Sequence, residues 1–434
     1  MPAGERNKLF SFKETMSWAL DNIVTIIFVL FVLLGFVVSK DIPISFFLSE
    51  LCDRIFRNSF LVLSLIIPVL AGLGLNFGIV IGAMSGQAAI ALARYHGLGG
   101  MSGLLFCFVV SFFFAALCGY LTGKLYNKTR GQEMIASLIV GFFANGIYQF
   151  IFLFVVGVII AVPATHPMIM PNGIGIRMTV DLVPVAEGGL RNSLENIYKI
   201  PFVQALLIIS LAMLAVLIIG YWLNKKRGQG YKNHPVSFGF NVLMCVIPAW
   251  IAINAMTAEG SVLMRVRTVP VVTAFLIIGL CIFTELIMKT KLGQDFRSVG
   301  QSQHIAEVSG INVDRTRIIA TMISTVLAAW GQLIFLQSMG TLSTYSAHTQ
   351  IGMFSVAALL VGGASTSRAS VKNAIFGTIL FNAMFIMSPE IGQSLFGDAN
   401  LGEYFRTFMV YGVIGVALGL HVWKANKKSR IVLE

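Results

Sequence analysis

Residues 269–336 read VPVVTAFLIIGLCIFTELIM, then KTKLGQDFRSVGQSQHIAEVSGINVDRTR, then IIATMISTVLAAWGQLIFL. Each outer run is about 20 residues long, enough for one helical crossing of a bilayer. The charged piece between them, residues 289–317, is too short for a domain and too patterned for a plain connector. The Gly293 position predicts the end of the preceding helix. Gly300 and Gly310 bracket QSQHIAEVS, which predicts about two turns of short helix. Ile305 and Val308 fall on one side of it and Gln303 and Glu307 on others. A short amphipathic helix between glycines, at the aqueous face of a membrane protein, suits docking into a groove on a soluble partner. Adhesion to lipid is the other use of such a helix, but its mixed charge and small apolar face make that weak.

The rest of the chain has the same character. Of 434 residues, 56% are hydrophobic and 12% charged, and the mean hydropathy is +0.83. Soluble domains carry about twice that share of charge. Apolar segments recur near 22–39, 59–77, 79–97, 101–122, 134–161, 202–223, 236–254, 270–288, 318–338, 351–364, 371–388 and 405–423. These predict an all-α polytopic integral membrane protein with about 10–12 transmembrane helices, some short or broken, forming a single transmembrane domain over residues 1–434. With the N-terminus inside, most of the 31 Lys and Arg fall in the cytoplasmic pieces, among them GERNKLFSFK, NKKRGQGYK and KANKKSR. This satisfies the positive-inside rule and places both termini in the cytoplasm. The net charge of +12 is therefore topological; it sits in short clusters without a continuous basic face, which argues against a nucleic-acid partner.

Two outer regions are long. ISFFLSELCDRIFRNS (44–59) has helical periodicity and is expected to lie along the outer interface as a surface helix. The Pro- and Gly-rich loop at 163–201 either caps an outer vestibule, contacts a partner or simply connects.

Catalytic signatures are missing: there is no HExxH, GxSxG or P-loop, and the five cysteines show no ligand or disulfide spacing. The chain is thus expected to be no enzyme and to bind no cofactor or metal. Charged groups inside the spans, which usually mark coupling to ions, are scarce. Asp21 and Glu285 sit in end turns, Arg94 near an outer end, and all six histidines near ends or in loops. Sodium sites of backbone carbonyls need no such residue, so an ion-coupled secondary transporter stays open as the alternative.

In GLNFGIVIGAMSGQ, Gly74, Gly78, Gly82 and Gly86 form a ladder on one helix face. It serves either close helix packing or a broken helix beside a pathway, with Asn76, Ser85 and Gln87 as uncharged hydrogen-bonding groups. Asn145 and Gln149 are further candidates for the translocation path; Gln332 and Asn382 are also polar residues within spans. A second short, glycine-interrupted segment follows at Gly362 and Gly363.

Three motifs carry a family resemblance. Gly293, Arg297, Val299, Gly300, Ala306 and Gly310-Ile311-Asn312-Val313 resemble the cytoplasmic coupling motif of ABC importer permeases of the ribose, nucleoside and branched-chain amino acid type. NFGIVIGAMSGQAAIALA is similar to that group's second-span motif, and LLVGGASTSRASVKNAIFGTIL to its late GG-containing motif. The order and spacing match over roughly residues 59–423. Ser302 stands where many relatives have Asn, the acidic residue often found in the second-span motif has no match, and 202–254 looks like an extra pair of spans. The resemblance implies a permease subunit of the bacterial inner membrane that imports a small neutral or polar solute, a sugar or nucleoside before others. It also implies cytoplasmic ATP-binding cassette subunits carrying ATP and Mg, a second permease subunit (identical or related) and an external solute-binding protein. Gly293, Arg297, Gly300, Ala306, Glu307 and Gly310 would make the ATPase contact.

Overall fold

The computed structural model describes residues 22–38, 42–183, 189–226, 235–258 and 260–433. The N-terminal basic stretch, Asp21, Lys40 and the linker holding His234 lie outside the described residues, as do the side chains of the basic tail.

Helices dominate. In chain order they are α1 (Ile23–Val38), α2 (Ile44–Ser64), α3 (Ile66–Leu70), α4 (Ile79–Tyr95), α5 (Gly100–Lys128) and α6 (Glu133–Phe150). There follow α7 (Phe202–Lys226), α8 (Pro235–Thr257), α9 (Val271–Ile287), α10 (Lys291–Gln301) and α11 (Gln303–Val308). The chain closes with α12 (Val313–Met339), α13 (Ala347–Val361), α14 (Val371–Phe396) and α15 (Ala399–Leu433). Among the described residues, five helices are long and apolar enough to cross a bilayer, and α9 with α10, bent by 74°, would make a sixth. Four shorter apolar helices add to these. The chain is an all-α polytopic membrane protein.

Local chemistry sets the ends of the central helices. Asn312 caps α12 by accepting from Arg315 N at 2.9 Å, with Asp314 in the first turn favoured by the helix dipole. The helix stops at Gly340, whose φ of 75° is the left-handed conformation that glycine adopts freely. Ser370 caps α14 in the same way, and Gly397 ends it.

Helix α12 is the axis. In its apolar window 67% of residues are buried, as in α14, against 17% in α7. It packs on α5, α4 and α2, while α14 packs on α15, α2, α1 and α13. The approach of α4 to α12 is backbone to backbone: a Cβ on Gly82 would run into Thr325 O and come within 2.7 Å of the Ala328 Cβ, and one on Gly86 would lie 2.7 Å from Ala329 O. Gly82→Leu is therefore expected to destabilise the bundle by about 1–3 kcal/mol through overpacking. Thermal unfolding in detergent measures this, and a variant as stable as the parent would contradict the close approach. Helices α7 and α8, the apparent extra pair, pack on each other and on a 3-10 turn at Val262–Arg265, at the edge of the bundle.

Two expectations need correction. The 44–59 stretch is no separate surface helix: α2 runs unbroken into the buried stretch Ser59–Ser64 and breaks only at Leu65. It contains neither Gly nor Pro, so nothing in it interrupts helical hydrogen bonding. Gly293 does not end α9, which stops at Ile287 with Met288 as its cap. Gly293 lies in the first turn of α10, where it receives the Thr290 side-chain cap, and a Cβ there would clash with Ile287 O. Its smallness permits the sharp bend.

Short antiparallel ribbons sit at the far end from α10 and α11. β1 (Thr179–Asp181) pairs with β4 (Thr341–Ser343), and β2 (Lys199–Ile200) with β3 (Val269–Pro270). The first ribbon straps the 163–201 region onto the α12–α13 turn; Tyr345 Oη also donates to Ile176 O at 2.6 Å.

Candidate functional site

A cavity of about 460 Å³ opens between α2, α13, α14 and the last turn of α12. That is within the range of small-molecule sites. Helix α12 starts beside α11 and ends at Met339 on the cavity wall, so the cavity lies at the opposite end of the molecule from the α10–α11 elbow. One side is aromatic. Phe354 meets Phe381 and Phe385 with ring centroids 5.9 and 5.6 Å apart. The other side is polar, with Glu50, Arg54, Arg57 and Asn58 from successive turns of α2. Asn58 Nδ2 donates to Asn382 Oδ1 at 3.0 Å, and Asn382 donates on to Thr378 O at 2.7 Å. A second, polar cavity of about 280 Å³ shares Glu50 and Arg57 with the first and is lined also by Arg191, Asn192, Glu195 and Lys199 of the strap. There Asp53 accepts from Arg267 at 2.6 Å and raises that guanidinium's pKa above its ordinary value.

The five residues expected along a path are elsewhere. None lines the larger cavity. Asn76 Oδ1 accepts from Tyr126 Oη at 2.9 Å and from Gly78 N at 3.0 Å, shaping the entry into α4. Ser85 donates back to Ile81 O. Gln87, Asn145 and Gln149, however, come together with a residue the sequence reading passed over. His348 is fully buried, with Nδ1 2.9 Å from Gln87 Oε1 and Nε2 2.8 Å from Asn145 Oδ1. Gln149 Nε2 donates to the same Asn145 oxygen at 3.4 Å. Turning the Gln87 amide over gives both imidazole nitrogens a matched partner in the neutral ring: Gln87 Nε2 donates to Nδ1, and Nε2–H donates to Asn145 Oδ1. The cluster binds α4, α6 and α13 into one unit. His348→Phe is expected to leave the buried Gln87 amide unsatisfied and to take one of two partners from Asn145, costing about 1–3 kcal/mol, read as a lower unfolding temperature in detergent; an unchanged one would show that the amides find other partners.

At the elbow, Ser302 caps α11 by accepting from Ile305 N at 3.3 Å. Phe296, Val299, Ala306 and Val313 are buried beneath it. Ile305 and Val308 point outward, 67% and 77% exposed, as do Arg297 and Glu307, with Gly310 beside them at φ 80°. Gly300 faces inward, where a Cβ would strike Leu70 O. Beneath α11 lies a buried ion pair that sequence alone did not indicate: Arg317, fully buried, meets Glu133 at 2.5 Å and also donates to Tyr126 O at 3.1 Å and Gln303 Oε1 at 3.4 Å. Arg317 thus ties α11, α12, α5 and α6 together.

The chain is thus a multi-pass helical bundle with a cavity at one end and an exposed elbow at the other. The chain belongs to the family described as branched-chain amino acid transport system / permease component, which matches residues 182–417. It is 33% identical over 146 residues to the xylose transport system permease protein XylH of Haemophilus influenzae, covering 33% of this chain and 36% of that one. The nucleoside ABC transporter permease protein NupC of Lactococcus lactis is 27% identical over 140 residues, covering 32% and 42%. The galactose/methyl galactoside import permease protein MglC of Salmonella typhimurium is 24% identical over 270 residues, covering 58% and 78%. The matched stretches span less than half of the xylose and nucleoside permeases. No solved structure matches the chain.

Proposed function

We propose that this chain is the permease subunit of an ATP-driven importer of the bacterial inner membrane and carries a small polar solute, a sugar or nucleoside before others. The observation that carries this reading is the placement of the larger cavity and the α10–α11 elbow at opposite ends of α12. In this reading residues 289–317 form the cytoplasmic coupling segment, residues 163–201 cover the outer mouth, and residues 1–434 make one permease domain. An ATP-binding cassette subunit holds Ile305 and Val308, a second permease completes the pathway, and an external binding protein delivers the solute. ATP and Mg act on the partner. Closure of the ATPase pushes α11; the push passes through Gln303 and Arg317 into α12, whose far end carries Phe335, Leu336 and Met339 of the cavity wall. The solute is thereby exposed first to one side and then to the other.

The test is to purify the tagged chain in mild detergent and identify its companions by mass spectrometry. An ATP-binding subunit is the expected companion. A lone chain that moves solute in proteoliposomes under an ion gradient would establish a secondary transporter instead.

A further inference from the structure

The cavity departs from the uncharged path expected of such a permease, because the continuous α2 brings two guanidiniums to its wall. Arg54 has a partner, Glu50 Oε2 at 3.6 Å, and stacks on Phe385 with its Cζ 4.6 Å from the ring centre. Among the described residues Arg57 has no such partner. Its Nη1 reaches the Met339 sulfur, at 3.0 Å, and its Cζ lies 5.4 Å from the Phe335 ring centre. Three carboxylates are near enough to act on it electrostatically, Glu50, Asp53 and Glu195. Each is engaged elsewhere: Glu50 with Arg54, Asp53 with Arg267 at 2.6 Å, and Glu195 with Gln337 Nε2 at 3.3 Å. Among the described residues the Nε atom of Arg57 is buried without a hydrogen-bond acceptor, whereas that of Arg54 faces Glu50 Oε2 at 3.6 Å. A guanidinium placed like that of Arg57 beside a cavity is unfavourable unless something entering the cavity supplies the acceptor.

We propose that the cavity holds its solute by a carboxylate, taken by Arg57 with help from Arg54, while the body of the solute lies against Phe354, Phe381 and Phe385. A planar guanidinium matches a carboxylate with paired N–H donors. The Asn58–Asn382 amides between the two ends are placed to read hydroxyl or amide groups of the body. The solute class is a small monocarboxylate of monosaccharide or amino-acid size, which narrows the polar solute proposed above to an acid and sets neutral sugars and nucleosides aside. This rests on the reading of the cavity as the solute site, and it is testable without any ATPase.

The experiment is thermal unfolding of the purified full chain in detergent with two pairs of probes, D-galacturonate against D-galactose and L-leucine against L-leucinol. Within each pair the acid and its neutral or amine counterpart share a carbon frame. In at least one pair the acid is expected to stabilise the protein at a concentration tenfold or more below its counterpart, and Arg57→Gln is expected to remove that difference. Which pair responds tells a sugar acid from an amino acid. Equal midpoints within both pairs, no shift with either acid up to about 1 mM, or an acid preference that survives in Arg57→Gln would overturn the proposal. The wild-type comparison stands even where Arg57→Gln does not fold. The companion pull-down would still report an ATPase if the carboxylate assignment failed, so the two readings fail separately.

Discussion

Arg317→Met is expected to be the most damaging single change away from the cavity, costing about 3–5 kcal/mol of stability. The substitution keeps an unbranched, flexible side chain but leaves Glu133, 10% exposed, without its partner. It also strips Tyr126 O and Gln303 Oε1 of a donor. Chemical or thermal unfolding in detergent measures the loss. Removing the charge on both sides, with Glu133→Gln added, should restore much of it, since an amide beside a thioether carries no uncompensated charge. The interaction energy of that cycle separates the ion pair from mere packing. Arg130 and Asp314, 2.6 Å apart on the surface nearby, provide the contrast: an exposed pair of this kind is worth about 0–1 kcal/mol. If Arg317→Met melts with the parent protein, the buried pair is not what joins the elbow to the bundle.

The second large effect leaves the fold alone. Ile305 and Val308 make little contact with the rest of the chain, so replacing both with aspartate should not move the unfolding temperature. Central apolar anchors of an interface are each worth about 2 kcal/mol or more, close to thirtyfold in affinity. Two charges set into an apolar groove should therefore detach a docked ATPase and bring uptake to background. Normal uptake by Ile305→Asp/Val308→Asp would remove the elbow from any docking role. Gly300→Val is a different experiment. That residue faces Leu70 and Gly72, so its effect would pass through the fold.

The helical class and most helix positions were legible because they rest on length and hydropathy, which are local. The short helix of the elbow was legible for the same reason, since Gly300 and Gly310 bracket it; α10 was not, and Gly293 lies inside it instead of ending α9. The cavity was not. Glu50, Arg54, Arg57 and Asn58 look like the charged side of a surface helix until Asn382, more than 300 positions away, is set beside Asn58. The unbroken run from Ile44 to Ser64, free of Gly and Pro, was the one signal of a helix entering the core. His348 was hidden by its place at the start of a short helix, since nothing local joins it to Gln87 or Asn145. Arg317 likewise closes a charged segment, and only the fold shows that it turns inward to Glu133.

The cavity and the core both join the beginning of the chain to its end. Thr25 Oγ1 donates to Val361 O, 336 positions later, and Asn58 meets Asn382 at a separation of 324. At about 5–20 residues per second, the ribosome needs roughly 20–60 s to supply those partners. During that interval α1 and α2 stand in the bilayer with the arginines of α2 unopposed by α13 and α14. A product released before residue 371 never gains α14. The half-made molecule, more than the finished one, is the form that membrane insertases must shelter and membrane proteases are expected to clear.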